Sequence, residues 1–230
     1  MFQRKTVFVV GAGASNEVGL PVGSELAKQI SSLLSFSSDW DLTRNDHVPY
    51  PELLRRHCEN SRALDEYIAL SRQIARGLLA IDSIDKYIDT HRHESRIASI
   101  AKAAITHTVL RAERASLFLQ NRSPTDAGDP LRRLGETWYF SLGRMIVDGI
   151  PLKEIDRLFE NITIICFNYD RCIEEFLSHW LTTAYAIALP ESRQIISRLK
   201  IIRPYGQVAP IRSHWVIQAN STIRFPSAKT

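Results

Sequence analysis

The apolar positions change their period along the chain, and each change predicts an element. Val7, Phe8, Val9 and Val10 form a continuous β-branched and aromatic run, which predicts a parallel strand covered on both faces. Leu26, Ile30, Leu33 and Leu34 recur at helical spacing within Val22 to Leu34. Ser35 to Pro51 is polar, carries two prolines, and predicts a loop. Helices are then predicted over Leu53 to His57, Ala63 to Ile81, Ile84 to Thr90, Arg96 to Leu119 and Leu131 to Val147, with a loop from Asn121 to Pro130. Within them, Ile97, Ile100, Ala101, Ala104, Ile105 and Thr108 hold the helical period for several turns. The next strand is Ile162 to Phe167, followed by an amphipathic helix with Ile173, Phe176, Leu177 and Trp180. A third strand is predicted over Leu199 to Arg203 and a further one over Ser213 to Gln218.

This order is not a regular alternation of βαβ units. It predicts an α/β fold of one domain, 1–230, with sheet-forming parts at about 1–38 and 158–230 and an all-helical insertion at about 39–150. The sheet reads as incomplete, as in a fragment or a module whose partner follows.

Composition adds bounds. A chain of 230 residues with 44% hydrophobic and 23% charged residues can bury a substantial core. The net charge of +4 comes from arginines spread over helical segments, as on a solvated surface, so a nucleic-acid partner is not indicated. No apolar run approaches a membrane span, and no membrane partner is expected. Arg4 and Lys5 precede an apolar run, but Thr6 to Val10 is too short for a secretory signal. Cys58, Cys166 and Cys172 form no C-x-x-C pair, so neither a zinc site nor a disulfide framework is indicated. A reduced, cytoplasmic protein without a metal is the expectation.

The candidate chemistry lies at strand ends. Gly11 and Gly13 follow the first strand and let the backbone turn sharply and approach a ligand. Pro21 suits the first turn of a helix, and Glu25 suits its positive end. Backbone N–H groups at such a junction suit a pyrophosphate. The dehydrogenase fingerprint G-x-G-x-x-G is not met: its third glycine position holds Asn16, and no acidic residue closes a second strand where the ribose would sit. Asp39 and Asp41 come later, in a polar stretch. Asn168-Tyr169-Asp170 stands just beyond the second strand, where open α/β sheets bind ligands. Either Asn168 or Asp170 would also serve as a helix cap. Cys166 reads as a small buried hydrophobe. Pro204-Tyr205-Gly206-Gln207 is a polar turn at the end of the third strand. Asp82-Ser83-Ile84-Asp85 reads first as a helix start, with Asp82 or Ser83 as N-cap and Asp85 in the first turn.

Three separated pieces stand in order: Gly11-Ala12-Gly13-Ala14-Ser15 with Gly19-Leu20-Pro21, Phe167-Asn168-Tyr169-Asp170 with Glu174, and Arg203-Pro204-Tyr205-Gly206. This set resembles the sirtuin family in its broad sense, over about 5–35 and 160–210. Ser83-Ile84-Asp85 resembles a segment of its bacterial sirtuin-like branch, which brings in Asp85 as support for the site. The resemblance implies a Rossmann-like parallel sheet that binds NAD+, the pyrophosphate lying on Ala12, Gly13, Ala14 and Ser15, with Gly11, Pro21 and Gly206 shaping the site. It implies that Asn168 contacts the ribose and positions a water, and that Asp170 binds the nicotinamide carboxamide.

Two departures refine it. No cysteine follows Cys172, so the four-cysteine zinc module of the deacylases is missing and protein deacylation is disfavoured. The family's histidine position holds Tyr205, whose ordinary pKa near 10 makes a poor base at neutral pH. The phenol could still hold the ribose, and His91, His93 or His107 could supply an imidazole, although a lone helical histidine is ordinarily surface. The expected activity is NAD+ hydrolysis to nicotinamide and ADP-ribose. By the same resemblance such a domain serves as an effector of antiphage defence, kept quiet until a partner or signal activates it, with a homo-oligomer or an activating protein as the expected partners. The alternative is a catalytically weakened module that senses NAD+ or ADP-ribose.

Overall fold

The computed structural model describes residues 2–35, 60–118, 131 and 134–208. The expected helix at Leu53 to His57, the loop at Asn121 to Pro130, the strand at Ser213 to Gln218, all but Ser35 of the loop at Ser35 to Pro51, and Cys58 lie outside these residues. The described residues form a mixed α/β structure dominated by helices, with one small parallel sheet. They divide into two compact units, one of residues 2–22 and 109–208, the other of residues 23–108.

The first unit carries the sheet. Strands β1 (Thr6–Val10), β2 (Ile162–Cys166) and β3 (Lys200–Ile202) lie parallel in the order β1-β2-β3. Thr6 pairs with Ile162 through to Val10 with Cys166, and Thr163 with Lys200 through to Ile165 with Ile202. Contrary to the expected double cover, β1 is covered on one face only. Phe8 and Val10 turn toward the core, but Val7 is 56% and Val9 68% exposed. Strand side chains alternate between faces, and an all-apolar run does not reveal from its own pattern that only one face is covered.

The buried face rests on α6 (Trp138–Val147, below) and α7 (Cys172–Tyr185), whose Tyr139, Leu142, Ile146, Phe176 and Leu177 share one core with Ile162, Ile164 and Cys166. Gly143 makes this packing possible. A Cβ there would meet the Trp180 indole at 2.5 Å. A helix is expected from Leu131, but it begins only at Trp138, because Thr137 is extended and its hydroxyl accepts from the Phe140 N–H. Helix α8 (Leu189–Ile196) was not foreseen; Pro190 sits at its start, and Ser192 donates to the Ser178 carbonyl of α7.

The turn after β1 also departs from expectation. Instead of one helix entered near Pro21, a five-residue helix α1 (Ala12–Asn16) follows Gly11 directly. Gly19, at φ +94°, then reverses the chain before α2 (Gly23–Leu34). Pro21 therefore lies before α2 rather than in its first turn, while Glu25 does occupy that turn.

The second unit is helical: α2, α3 (Ser61–Gly77), α4 (Ile84–Thr90) and α5 (Ser95–Ala115) up to Thr108. From Val109 onward α5 belongs to the first unit. Helices α2 and α3 pack together, with Ser31 Oγ donating to the Ala75 carbonyl at 2.8 Å. Helix α3 stops at Gly77 rather than at Ile81, because the chain tightens there into turns closed by Leu79 N–H on Arg76 O and Ala80 N–H on Gly77 O. A Cβ on Gly77 would strike the Tyr87 ring. Among the described residues, no helix is long and apolar enough to cross a membrane.

Candidate functional site

The carboxyl ends of β1 and β2 bring Gly11 and Asn168 together. The Phe167 N–H continues the ladder onto Val10 O at 2.9 Å, so the side chain of the next residue turns inward. Asn168 is 6% exposed. Its Nδ2 donates to Gly11 O at 3.0 Å and to Ser15 Oγ at 2.9 Å. A backbone carbonyl only accepts, which fixes which end of the amide is nitrogen. The other end, Oδ1, is buried and has no hydrogen-bond partner among the described residues. Leaving such an acceptor unsatisfied costs about 1–3 kcal/mol. Packing alone does not call for it.

Ser15 is 2% exposed and its Oγ also meets the Tyr139 hydroxyl at 3.3 Å. Its side chain therefore holds Asn168 from within the core, whereas the pyrophosphate contact that the resemblance implies is one of backbone N–H groups. Helix α1, which carries Ser15, is fastened to α6: Trp138 Nε1 donates to Ala14 O at 2.9 Å, and the Trp138 N–H donates to Glu17 Oε2 at 2.8 Å. Burial pushes the Tyr139 hydroxyl well above its ordinary pKa, helped by the nearby Cys172 and Asp170. Burial, followed by Asp170, does the same to the Cys172 thiol, and burial raises Cys166. These groups stay neutral hydrogen-bonding partners.

Asp170, 5% exposed, accepts from the Cys172 N–H at 3.0 Å, so it closes the start of α7. Of the two expected caps, Asn168 and Asp170, neither is the N-cap, which is Arg171; Asp170 instead ties down the first helical N–H from one residue further back. Two ion pairs brace the loop between them. Glu113, at the end of α5, accepts from Arg171 N at 2.9 Å, from its Nε at 3.2 Å and from its Nη2. Arg203, just past β3, donates to Glu174 Oε2 at 2.8 Å and to Asp170 O at 3.3 Å. The Val208 N–H adds a bond to Tyr169 O at 3.0 Å. Loop backbone held at this many points stays in one conformation.

The turns after β1 and β3 leave backbone open: Cβ atoms on Gly11, Gly13 and Gly206 would find nothing within 4 Å among the described residues. Gly206 takes φ +84°, a conformation that favours glycine. Tyr205 is 58% exposed and its ring lies 5.9 Å from that of Phe167. Helix α1 is too short to add up a full helix dipole, and the Ala14 N–H is already bonded to Gly11 O. Any anion at this turn would depend on the open glycine backbone.

Asp85, His91, His93 and His107 belong to the helical unit. Asp85 stands in the first turn of α4, behind Ser83, whose Oγ accepts from the Lys86 N–H. His91 stacks on Tyr87 at 4.2 Å and its Nδ1 meets Tyr87 O.

Sequence reading did not find Tyr139, Glu113 or Arg171. A signal for Glu113 existed: it falls on the stripe of Ile97, Ala101, Ile105 and Val109, a carboxylate where helical spacing calls for an apolar residue. Tyr139 sits within Trp138-Tyr139-Phe140, and its need for a buried partner shows only once the core is assembled. Comparisons with protein-family models, with curated proteins and with solved structures find no match for this chain.

Proposed function

We propose that this chain is an NAD+ glycohydrolase of sirtuin-like type, built on a Rossmann-like sheet. The observation that carries the reading is Asn168. Its amide is pinned by Gly11 O and Ser15 Oγ, while its buried Oδ1 has no partner among the described residues. An oriented acceptor of this kind suits a ribose hydroxyl or a water. The open space at Gly11, Gly13 and Gly206 suits a dinucleotide approaching the backbone closely. Supported by the resemblance alone are the identity of the dinucleotide, the role of Asp85 and service in antiphage defence with an activating partner.

In the proposed reaction a water oxygen bonds to C1′ of the nicotinamide ribose. The C1′–nitrogen bond breaks, and its electron pair leaves with neutral nicotinamide. ADP-ribose forms and one proton is released to solvent. The barrier lies in an oxocarbenium-like state, as in glycoside hydrolysis. Asn168 Oδ1 would orient the water or the ribose, and the fixed loop would supply polar groups that need no reorganisation. Tyr205 would hold the ribose through its phenol and is not asked to act as a base.

Incubating the protein with NAD+ and following nicotinamide release tests the reading. Asn168→Ala should lower turnover by roughly 100- to 1000-fold, as losing a preorganised polar group does. Thermal melting should show that the variant is folded. Wild-type turnover by a folded Asn168→Ala protein would reduce this residue to a structural one. The second reading, a sensor of NAD+ or ADP-ribose, is favoured by the exposed tyrosine at the family's histidine position. Tyr205→His separates the two: gained turnover supports lost catalysis, and reduced turnover in an active protein supports a contribution from the phenol.

A further inference from the structure

We propose that Phe167 and Tyr205 form a stacking platform for a flat nitrogen heterocycle of the bound ligand, a subsite that rests on the dinucleotide reading above. Both rings are exposed, Phe167 by 42% and Tyr205 by 58%, and their centroids lie 5.9 Å apart at a tilt of 55°. Water-facing aromatic rings give up hydration free energy that burial against a partner would recover.

The position of the pair says which partner. Phe167 is joined to β1 through its N–H on Val10 O, one residue before Gly11, and it precedes Asn168 in the chain. Tyr205 is followed by Gly206, beside which there is open space. The two rings therefore stand at the same carboxyl end of the sheet as the Gly11 turn and Asn168, Phe167 on its exposed side and the Asn168 side chain on its buried side. Exposure alternates along the chain there, with Cys166 and Asn168 buried and Phe167 out. At the carboxyl end of the sheet the exposed residues are Phe167, Tyr205 and the aliphatic Ile202, while Val7 and Val9 farther back are aliphatic. Aliphatic side chains offer contact area only; aromatic ones also offer π-faces to a planar base, at about 1–3 kcal/mol per stacked ring. Adenine and nicotinamide share that chemistry.

Calorimetric titration of the full chain with NAD+ tests the platform, with AMP and nicotinamide mononucleotide naming the ring. Phe167→Leu keeps bulk and removes the π-face; it should bind NAD+ roughly tenfold more weakly. Phe167→Tyr should bind as wild type does. Of the two half-molecules, one should lose affinity and the other keep it. Tyr205→Leu should weaken the same half, and being an exposed change it carries the test if Phe167→Leu does not fold. Unchanged NAD+ affinity in either folded leucine variant overturns the platform and leaves the dinucleotide reading standing. Equal losses for both half-molecules indicate a loosened site and also overturn it. No NAD+ binding by the wild-type chain overturns both.

Discussion

The two units bury polar groups for different reasons. In the helical unit each prominent polar contact finishes a helix or joins two of them. Asn60 and Ser83 cap α3 and α4, Ser31 reaches across to Ala75 O, and the Tyr87 hydroxyl donates to Gln73 O. In the sheet unit the buried polar groups exceed what helix ends require. Asn168, Ser15 and Tyr139 form a chain, Glu113 and Arg171 form a buried ion pair, and among the described residues the Asn168 amide oxygen, like the Trp180 indole N–H elsewhere in the unit, has no partner. Burying polarity costs free energy unless it is fully paired. A region that carries more than its architecture needs, and leaves part of it unmet, is where a ligand is to be sought.

The sharpest way to break this contrast is to unpair the buried ion pair. Arg171→Ala strips Glu113, 5% exposed, of its guanidinium and should cost about 3–5 kcal/mol of stability, as lone buried charges do. Urea denaturation measures it. A loss below 1 kcal/mol would make the pair incidental. Next come the two glycines that admit aromatic rings. Gly143→Ala against Trp180 and Gly77→Ala against Tyr87 should each cost about 1–3 kcal/mol through overpacking. Hydrogen exchange should then show loosened protection in the sheet unit for the first and in the helical unit for the second. Uniform loosening in both would deny that the units respond separately.

Alkaline pH offers a milder probe. Burial raises Cys172 and Tyr139 well above their ordinary values of 9.0 and 10.0, and Cys166 as well. Such groups keep their protons when folded and release them first when unfolded. Their contribution is complete below pH 9 and is lost as the pH rises above it, by at most about 1.4 kcal/mol per pH unit for each group. In the helical unit Tyr87 is raised as well, again by burial. Protection in the sheet unit should therefore fall faster between pH 9 and pH 11, and Cys172→Ala should flatten that fall. The smallest effect is Ser83→Ala, which removes the α4 cap at a cost of about 1 kcal/mol. A melting curve reads it, and NAD+ affinity should not change if Ser83 is only a cap.

Much of the fold was legible along the chain. Three strands, the long helix with its Ile97 to Ile105 stripe and the helix after Asp170 all came from spacing and residue type, because periodicity is local. The helix at Leu189 was missed, since its few apolar positions are too short a run to declare a period. Of the candidate site, Gly11, Asn168 and Asp170 were recognisable as strand-end residues. What each side chain does there was not.

That division has a physical cause. The order of residues alone determines where the backbone can turn, which segments alternate or wind, and that Gly11 and Asn168 each end a strand. Whether a face is covered depends on what the rest of the chain brings to it, and so Val7 and Val9 proved open although their run reads as buried. Partners are settled in the same way. Ser15 and Tyr139 are 124 residues apart, and Glu113 and Arg171 are 58 apart. No local rule links positions so distant; only the assembled core sets the hydroxyl and the carboxylate against the residues they hold, and leaves Asn168 Oδ1 facing no one.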